Sequence, residues 1–258
     1  MKRLSIVMVS VLFVIALSLM AYAGSIVYSK HNLSYILTAA PPNGMGGTVG
    51  AQSFNQYNQI CVYCHTPHNS VPLSAGGGYN YLWNRYASTT TYQVYTSSTL
   101  NATDEPSTLS SSVSGICMSC HDGSIAVDMV VNTPLNNWSP APYHRKMSTD
   151  TSDINSCSYC HNGSFAIDLR KSFLGTDLRN DHPVGFTYNA ALALSDGGLE
   201  TPGTNSITGT TNGTGITLPL YNQRLECPTC HNVHDPTFTP FLRASNDSSL
   251  LCFTCHLK

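Results

Sequence analysis

Residues 61–65 read CVYCH, and the same spacing returns as CMSCH at 117–121, CSYCH at 157–161, CPTCH at 227–231 and CFTCH at 252–256. The five copies take up Cys61, Cys64, Cys117, Cys120, Cys157, Cys160, Cys227, Cys230, Cys252 and Cys255, which are all ten cysteines of the chain. Two thiols three residues apart on one turn can each add to a vinyl group of a haem, and the next residue then projects toward the iron. That residue is His65, His121, His161, His231 or His256. A lone Cys-x-x-Cys also reads as a zinc knuckle, a redox dithiol or a disulfide. With 10 histidines in 258 residues, a histidine after all five pairs has chance odds of roughly one in ten million, and zinc or disulfide chemistry asks for none there. The motifs therefore imply five covalently bound haem c groups.

The start of the chain carries a second signal. Lys2 and Arg3 precede an apolar run from Leu4 to Met20, and Ala21-Tyr22-Ala23 supplies a small-x-small cleavage pattern before Gly24. Residues 1–23 are expected to be a signal peptide, with an uncleaved anchor as the competing reading. Either way the chain is expected to be exported, to the cell surface or extracellular space, with the periplasm as the alternative. No other apolar stretch approaches membrane-spanning length.

Removing 23 residues leaves 235 for five haems, 47 apiece. Residues 24–258 therefore read as a single pentahaem domain whose core is the cofactors, and the apo chain is expected to be unfolded. Without Lys2 and Arg3 the mature chain has 10 basic residues against 14 acidic ones, a net of −4. Haem propionates would carry this to roughly −9 oxidised and roughly −14 reduced. That excludes nucleic acid as a partner. The low charge density suits a surface that packs against copies of itself, and equally a plain uncharged exported protein.

The motifs fall into kinds. CHDGSIAVDM from Cys120 and CHNGSFAIDL from Cys160 repeat at a period of 40 residues. Apolar Ile125, Val127 and Met129, and Phe165, Ile167 and Leu169, alternate with smaller or polar residues, which predicts short extended segments with one face on a haem. Duplication of this unit in a four-site ancestor would give the odd count of five. The first and fourth sites continue instead as CHTPHN and CHNVHD. Stretches 41–50, 88–115 and 196–218 are rich in Gly, Ser, Thr and Asn and read as loops. The expected fold is mostly coil with short α-helices at or beside the motifs and few short strands. Six Asn-x-Ser/Thr triplets, at Asn32, Asn101, Asn137, Asn162, Asn212 and Asn246, are near what so polar a chain gives by chance.

Five histidines lie outside the motifs: His31, His68, His144, His182 and His234, one for each remaining axial position. Neutral imidazole is the commonest side-chain metal ligand, so these are the expected distal ligands. Met45, Met118, Met129 and Met147 could replace one, but the count makes that unnecessary. His-His ligation closes both axial positions, which points to electron transfer and not to an enzyme with catalytic residues. His68 and His234 each follow a motif histidine by three residues and leave it on the same side of its own haem, so each must serve a different haem. His31 lies near the predicted mature N-terminus and could serve its own chain or the next one.

CVYCHTPHN, YLWNRYASTTTYQVYTSSTL, GICMSCHDGSIAV, NDHPVGFTY, ECPTCHNVHD and LCFTCHLK together resemble the doubled-CxxCH multihaem cytochromes, including the OmcE-like and OmcS-like outer-surface cytochromes that polymerise into conducting filaments. The resemblance covers nearly all of the mature chain. It implies bis-histidine haems in a continuous stack, sparse secondary structure, extracellular electron transfer, and in filament members a histidine donated across the subunit boundary. By that similarity His31 is the candidate donated ligand in a homopolymer, with redox proteins or extracellular acceptors as further partners. The chain departs from those relatives in number, with five sites against four or six. Two other readings stand beside it: a soluble periplasmic electron shuttle, and a multihaem nitrite- or hydroxylamine-type reductase, which would expose one iron.

Overall fold

In the computed structural model each Cys-x-x-Cys-His segment is one tight turn. The amide of His65 donates to Cys61 O at 2.7 Å, His161 to Cys157 O at 2.9 Å, His231 to Cys227 O at 3.1 Å and His256 to Cys252 O at 3.0 Å. An i to i−4 bond of this kind sets both thiols and the imidazole around one turn. Three turns are 3-10 in character (Cys61–Tyr63, Cys157–Tyr159 and Cys252–Thr254). The second motif forms the C-terminal end of α1, Ser114–His121. The structure describes residues 26–33, 60–72, 81–127, 129–133, 146–164 and 167–257. The expected signal peptide, the loop at 41–50, Met45, Phe165 and His144 lie outside the described residues.

The rest is mostly coil, as expected. Helix α2 spans Ala190–Asp196, opened by Asn189, whose side chain accepts from Leu192 N, and closed by Gly197 at φ 67°. Helix α3, Cys227–Cys230, carries a capping box: Glu226 accepts from the amide of Thr229 while Thr229 Oγ1 accepts from Glu226 N at 3.0 Å. Strands β1 (Phe186–Thr187) and β4 (Arg224–Leu225) pair antiparallel, and so do β2 (Ser206–Thr208) and β3 (Thr217–Pro219). The β2–β3 ribbon lies inside the stretch expected to be loop. Ile207 and Leu218 face each other across it and are fully buried, and that apolar pair outweighs the turn-rich composition around it.

Three small apolar clusters do the packing, and each borders motif residues. Phe186, Tyr188, Ile207, Leu218, Leu220, Leu225 and Leu251 gather around Cys255, with Cys230 alongside. Tyr92, Leu109 and Leu178 enclose Met118. Val62, Tyr63 and Val127 pack with Cys64 and Cys120.

Among the described residues, the segments expected to be extended after the second and third motifs include no strand. Gly123 and Gly163 turn the chain left-handed, at φ 73° and 87°. Ala126 and Val127 are then both buried and Met129 is half exposed, so alternation is lost. The repeated glycine is there for that turn. A β-carbon on Gly123 would also collide with Met147 O and would come within 2.8 Å of the Phe173 ring. Gly123→Ala should therefore destabilise the protein by about 1–2 kcal/mol or more, seen as an earlier denaturation midpoint of the holo form; an unchanged midpoint would refute the steric account.

Asp104 fastens coil to the β1–β4 ribbon just ahead of the fourth motif. Its carboxylate accepts from Thr187 N at 3.0 Å, Thr187 Oγ1 at 2.6 Å and Arg224 Nη1 at 3.1 Å. Burial alone would raise its pKa, but these donors together hold it below the ordinary value. The stabilisation is present at neutral pH, above the unfolded-state pKa, and is lost as pH falls through the lowered folded value. Asp104→Asn should cost about 0.5–1 kcal/mol at pH 7 in this partly exposed setting, and urea titrations should show the two proteins converging in strong acid.

Candidate functional site

The five motifs are numbered here as sites 1 to 5 in chain order. At four of them a backbone carbonyl captures Nδ1 of the motif histidine: Tyr81 O at 2.6 Å for His65, Ser172 O at 2.7 Å for His121, Ile167 O at 3.3 Å for His161 and Pro240 O at 3.0 Å for His231. A carbonyl can only accept, so Nδ1 carries the proton and Nε2 presents its lone pair. Metal-ligating histidines are held in this way. Outside the motifs, His182 is fixed similarly by Pro183 O at 2.9 Å.

Three motif histidines face a histidine from outside the motifs. His65 and His234 have ring centres 6.1 Å apart at 25°, His121 and His31 6.1 Å at 76°, and His256 and His182 6.2 Å at 71°. A metal between two imidazoles, with bonds of about 2 Å on each side and about 1.1 Å from each nitrogen to its ring centre, sets the centres about 6 Å apart whatever the twist. Each pair takes one histidine of each kind. Among the described residues no three or more His, Cys, Asp or Glu side chains gather as a site for a bare ion. Two nitrogens are too few for the four-coordinate zinc of the rival reading, but they are the number left to a protein when a porphyrin fills the equatorial plane. The residues fit a haem.

His234, three residues after His231, faces site 1 and not its own site 4, as the spacing required. His31, which could serve its own chain or the next one and is by the resemblance the candidate donated ligand, lies in the single chain against His121, with the Phe241 ring 4.6 Å away. The turn at 26–32 brings it there: Ser29 N bonds Ile26 O, Asn32 N bonds Ser29 O, and His31 N bonds Ser29 Oγ. Burial, then the neighbouring His121, His234 and His231, press its pKa down to about 4, so the ring is neutral at physiological pH. His68 is exposed, and no ring contact joins it to another imidazole among the described residues; the same holds for His161 and His231. His144 is outside them.

Cysteines of different sites adjoin: Cys64 and Cys120 share one apolar cluster, Cys230 and Cys255 another, and Cys227 N donates to Ser114 Oγ, three residues before Cys117. Cys117 donates a hydrogen bond to Cys227, raising its own pKa and lowering that of its partner. Cys64 lies within electrostatic reach of Cys120, and Cys230 of Cys252 and Cys255. Burial pushes Cys64 and Cys255 up to about 12 and Cys230 to about 11. Of the alternative methionine ligands, Met118 is core and Met129 points to solvent.

Three residues between sites 1 and 2 emerge that motif reading passed over. Trp83 packs edge-on against His65 at 5.7 Å. Asn84, with no exposed surface, binds Val62 O at 2.7 Å and Asn132 O at 2.9 Å through Nδ2. The Arg85 guanidinium is 1% exposed and donates to Ser119, Ala126 and Val127. The only signal for them was the position of the Leu-Trp-Asn-Arg run within the resemblance. A scan against protein families finds no match for this chain, and a search of curated proteins finds none.

Proposed function

We propose that this chain is an exported pentahaem c-type cytochrome that passes electrons between bis-histidine sites and performs no chemistry at the metal. The observation that carries the reading is the set of three imidazole pairs at 6.1–6.2 Å, each uniting a motif histidine with one from outside. A haem iron closed by two imidazoles supplies a one-electron couple and no open coordination position. The chain's own part is to hold Nε2 toward the iron through the Nδ1–carbonyl bonds, to offer paired thiols on one turn, and to bring sites together through adjoining cysteines.

The test is spectroscopic. The wild-type protein should be low-spin and indifferent to carbon monoxide when reduced. His31→Ala, His182→Ala and His234→Ala should each create one high-spin, carbon monoxide-binding haem, while a protein lacking covalent haem would refute the reading outright.

Polymerisation into an extracellular filament is part of the proposal, supported by the resemblance and by the low charge density. With His31 seated against His121 of its own chain, the exposed His68 is one imidazole left for a second copy. His31→Ala should therefore leave assembly intact in cryo-electron micrographs of the secreted material. Monodisperse wild-type monomers would overturn the filament claim and leave the soluble shuttle.

A further inference from the structure

Four charged side chains are buried among the described residues: Arg85 at 1% exposure, Glu226 at 2%, Asp122 at 4% and Glu200 at 6%. Their placement is uneven. Arg85 stands between sites 1 and 2. The residue before it donates from Asn84 N to Cys64 O at 2.9 Å, and its guanidinium reaches Ser119, next to Cys120. All of its acceptors are uncharged: Ser119 Oγ at 3.3 Å, Ser119 O at 3.0 Å, Ala126 O at 2.9 Å and Val127 O at 2.5 Å. No carboxylate among the described residues forms an ion pair with it; Asp128, beside Val127, lies outside them.

The three buried carboxylates stand at other sites. Asp122 follows His121 at site 2, accepting from Tyr92 OH at 2.8 Å and from Ser124 N and Oγ at 2.7 Å each. Exposed Lys146 reaches Ser124 O and makes no ion pair with it. Glu226 precedes Cys227 at site 4, where it accepts from Ser114 N at 3.0 Å and from Ser114 Oγ, with Arg224 Nε at 3.9 Å as a partial counterion. Glu200 stands at site 5. Its amide donates to Cys255 O at 2.8 Å, and its carboxylate accepts from Thr210 Oγ1 at 2.7 Å and Thr211 N at 2.9 Å. Packing orders these sites as 5, 4, 2, 1: Cys255 and Cys230 share one apolar cluster, Cys227 N donates to Ser114 Oγ at the start of α1, and Cys120 and Cys64 share another cluster.

We infer that the buried fixed charges grade the reduction potentials along this line, making site 1 the strongest electron acceptor of the four and setting sites 2, 4 and 5 below it. Reduction adds a negative charge, which a nearby buried cation stabilises and a buried carboxylate opposes; both effects are larger away from water. Arg85 acts on sites 1 and 2, but at site 2 Asp122 offsets it, so site 1 keeps the full benefit. In a partly reduced molecule electrons gather at site 1.

The inference rests on the haem reading, and the experiment separates the two. Pyridine haemochrome on acid-acetone-washed wild-type protein counts covalent haem; a count of zero overturns the haem reading itself. A mediated spectroelectrochemical titration of the holo protein then judges the grading. Arg85→Gln should lower the first-reduced step by about tenfold in its reduction equilibrium, ~59 mV for a one-electron couple, and leave the lowest steps in place. Arg85→Lys, which keeps the charge and breaks the fork, should hold the first step near wild type. Ser119→Asp, which sets a carboxylate against the guanidinium, should lower it with Arg85 still present. A first step unmoved in Arg85→Gln and Ser119→Asp, or one that falls as far in Arg85→Lys as in Arg85→Gln, overturns the inference.

Discussion

One backbone hydrogen bond underlies the rest of the structure: the amide of a motif histidine donates to the carbonyl of the cysteine four residues before it. That bond closes the turn that puts two thiols and an imidazole within reach of a single group. Since the turn needs only five residues, no long helix or broad sheet has to be built to present a site. The secondary structure among the described residues is correspondingly slight, with helices of eight, seven and four residues and two-stranded ribbons. The apolar clusters among the described residues are small, and each borders residues of the motifs.

The carbonyls that hold the imidazoles come from elsewhere in the chain. Tyr81 serves His65 from 16 residues away and Ser172 serves His121 from 51. The coil is therefore not idle connection. Its backbone oxygens aim the imidazoles, and side chains such as Asn84 and Arg85 saturate the carbonyls that irregular backbone leaves without partners. Backbone that is not paired in sheets or helices must find partners one by one, which is how asparagine and arginine come to be buried here.

What was legible in the sequence was what depends on local spacing. The motif turns, the sparseness of helix and strand, and the need for His234 to serve a site other than its own all follow from offsets of three or four residues. The seat of His31 was not legible, because it depends on a turn at 26–32 that folds the segment back onto its own chain. The β2–β3 ribbon was hidden by composition, since one buried Ile–Leu pair decides it amid Gly, Thr and Asn. Arg85 was hidden as well. A charged residue in a polar stretch reads as solvated until its partners at 119, 126 and 127 are known.

Site 3 occupies a peculiar position in this scheme. His121 O accepts from Leu174 N at 2.9 Å and from Gly175 N at 3.3 Å, while its ring is held by Ser172 O. Among the described residues from 146 to 171, which carry the second copy of the repeated unit, the side-chain hydrogen bonds stay within the segment except for Lys146 Nζ to Ser124 O at 2.9 Å. A unit that satisfies its own polar groups can be set beside an existing motif with little change to the bonds around that motif.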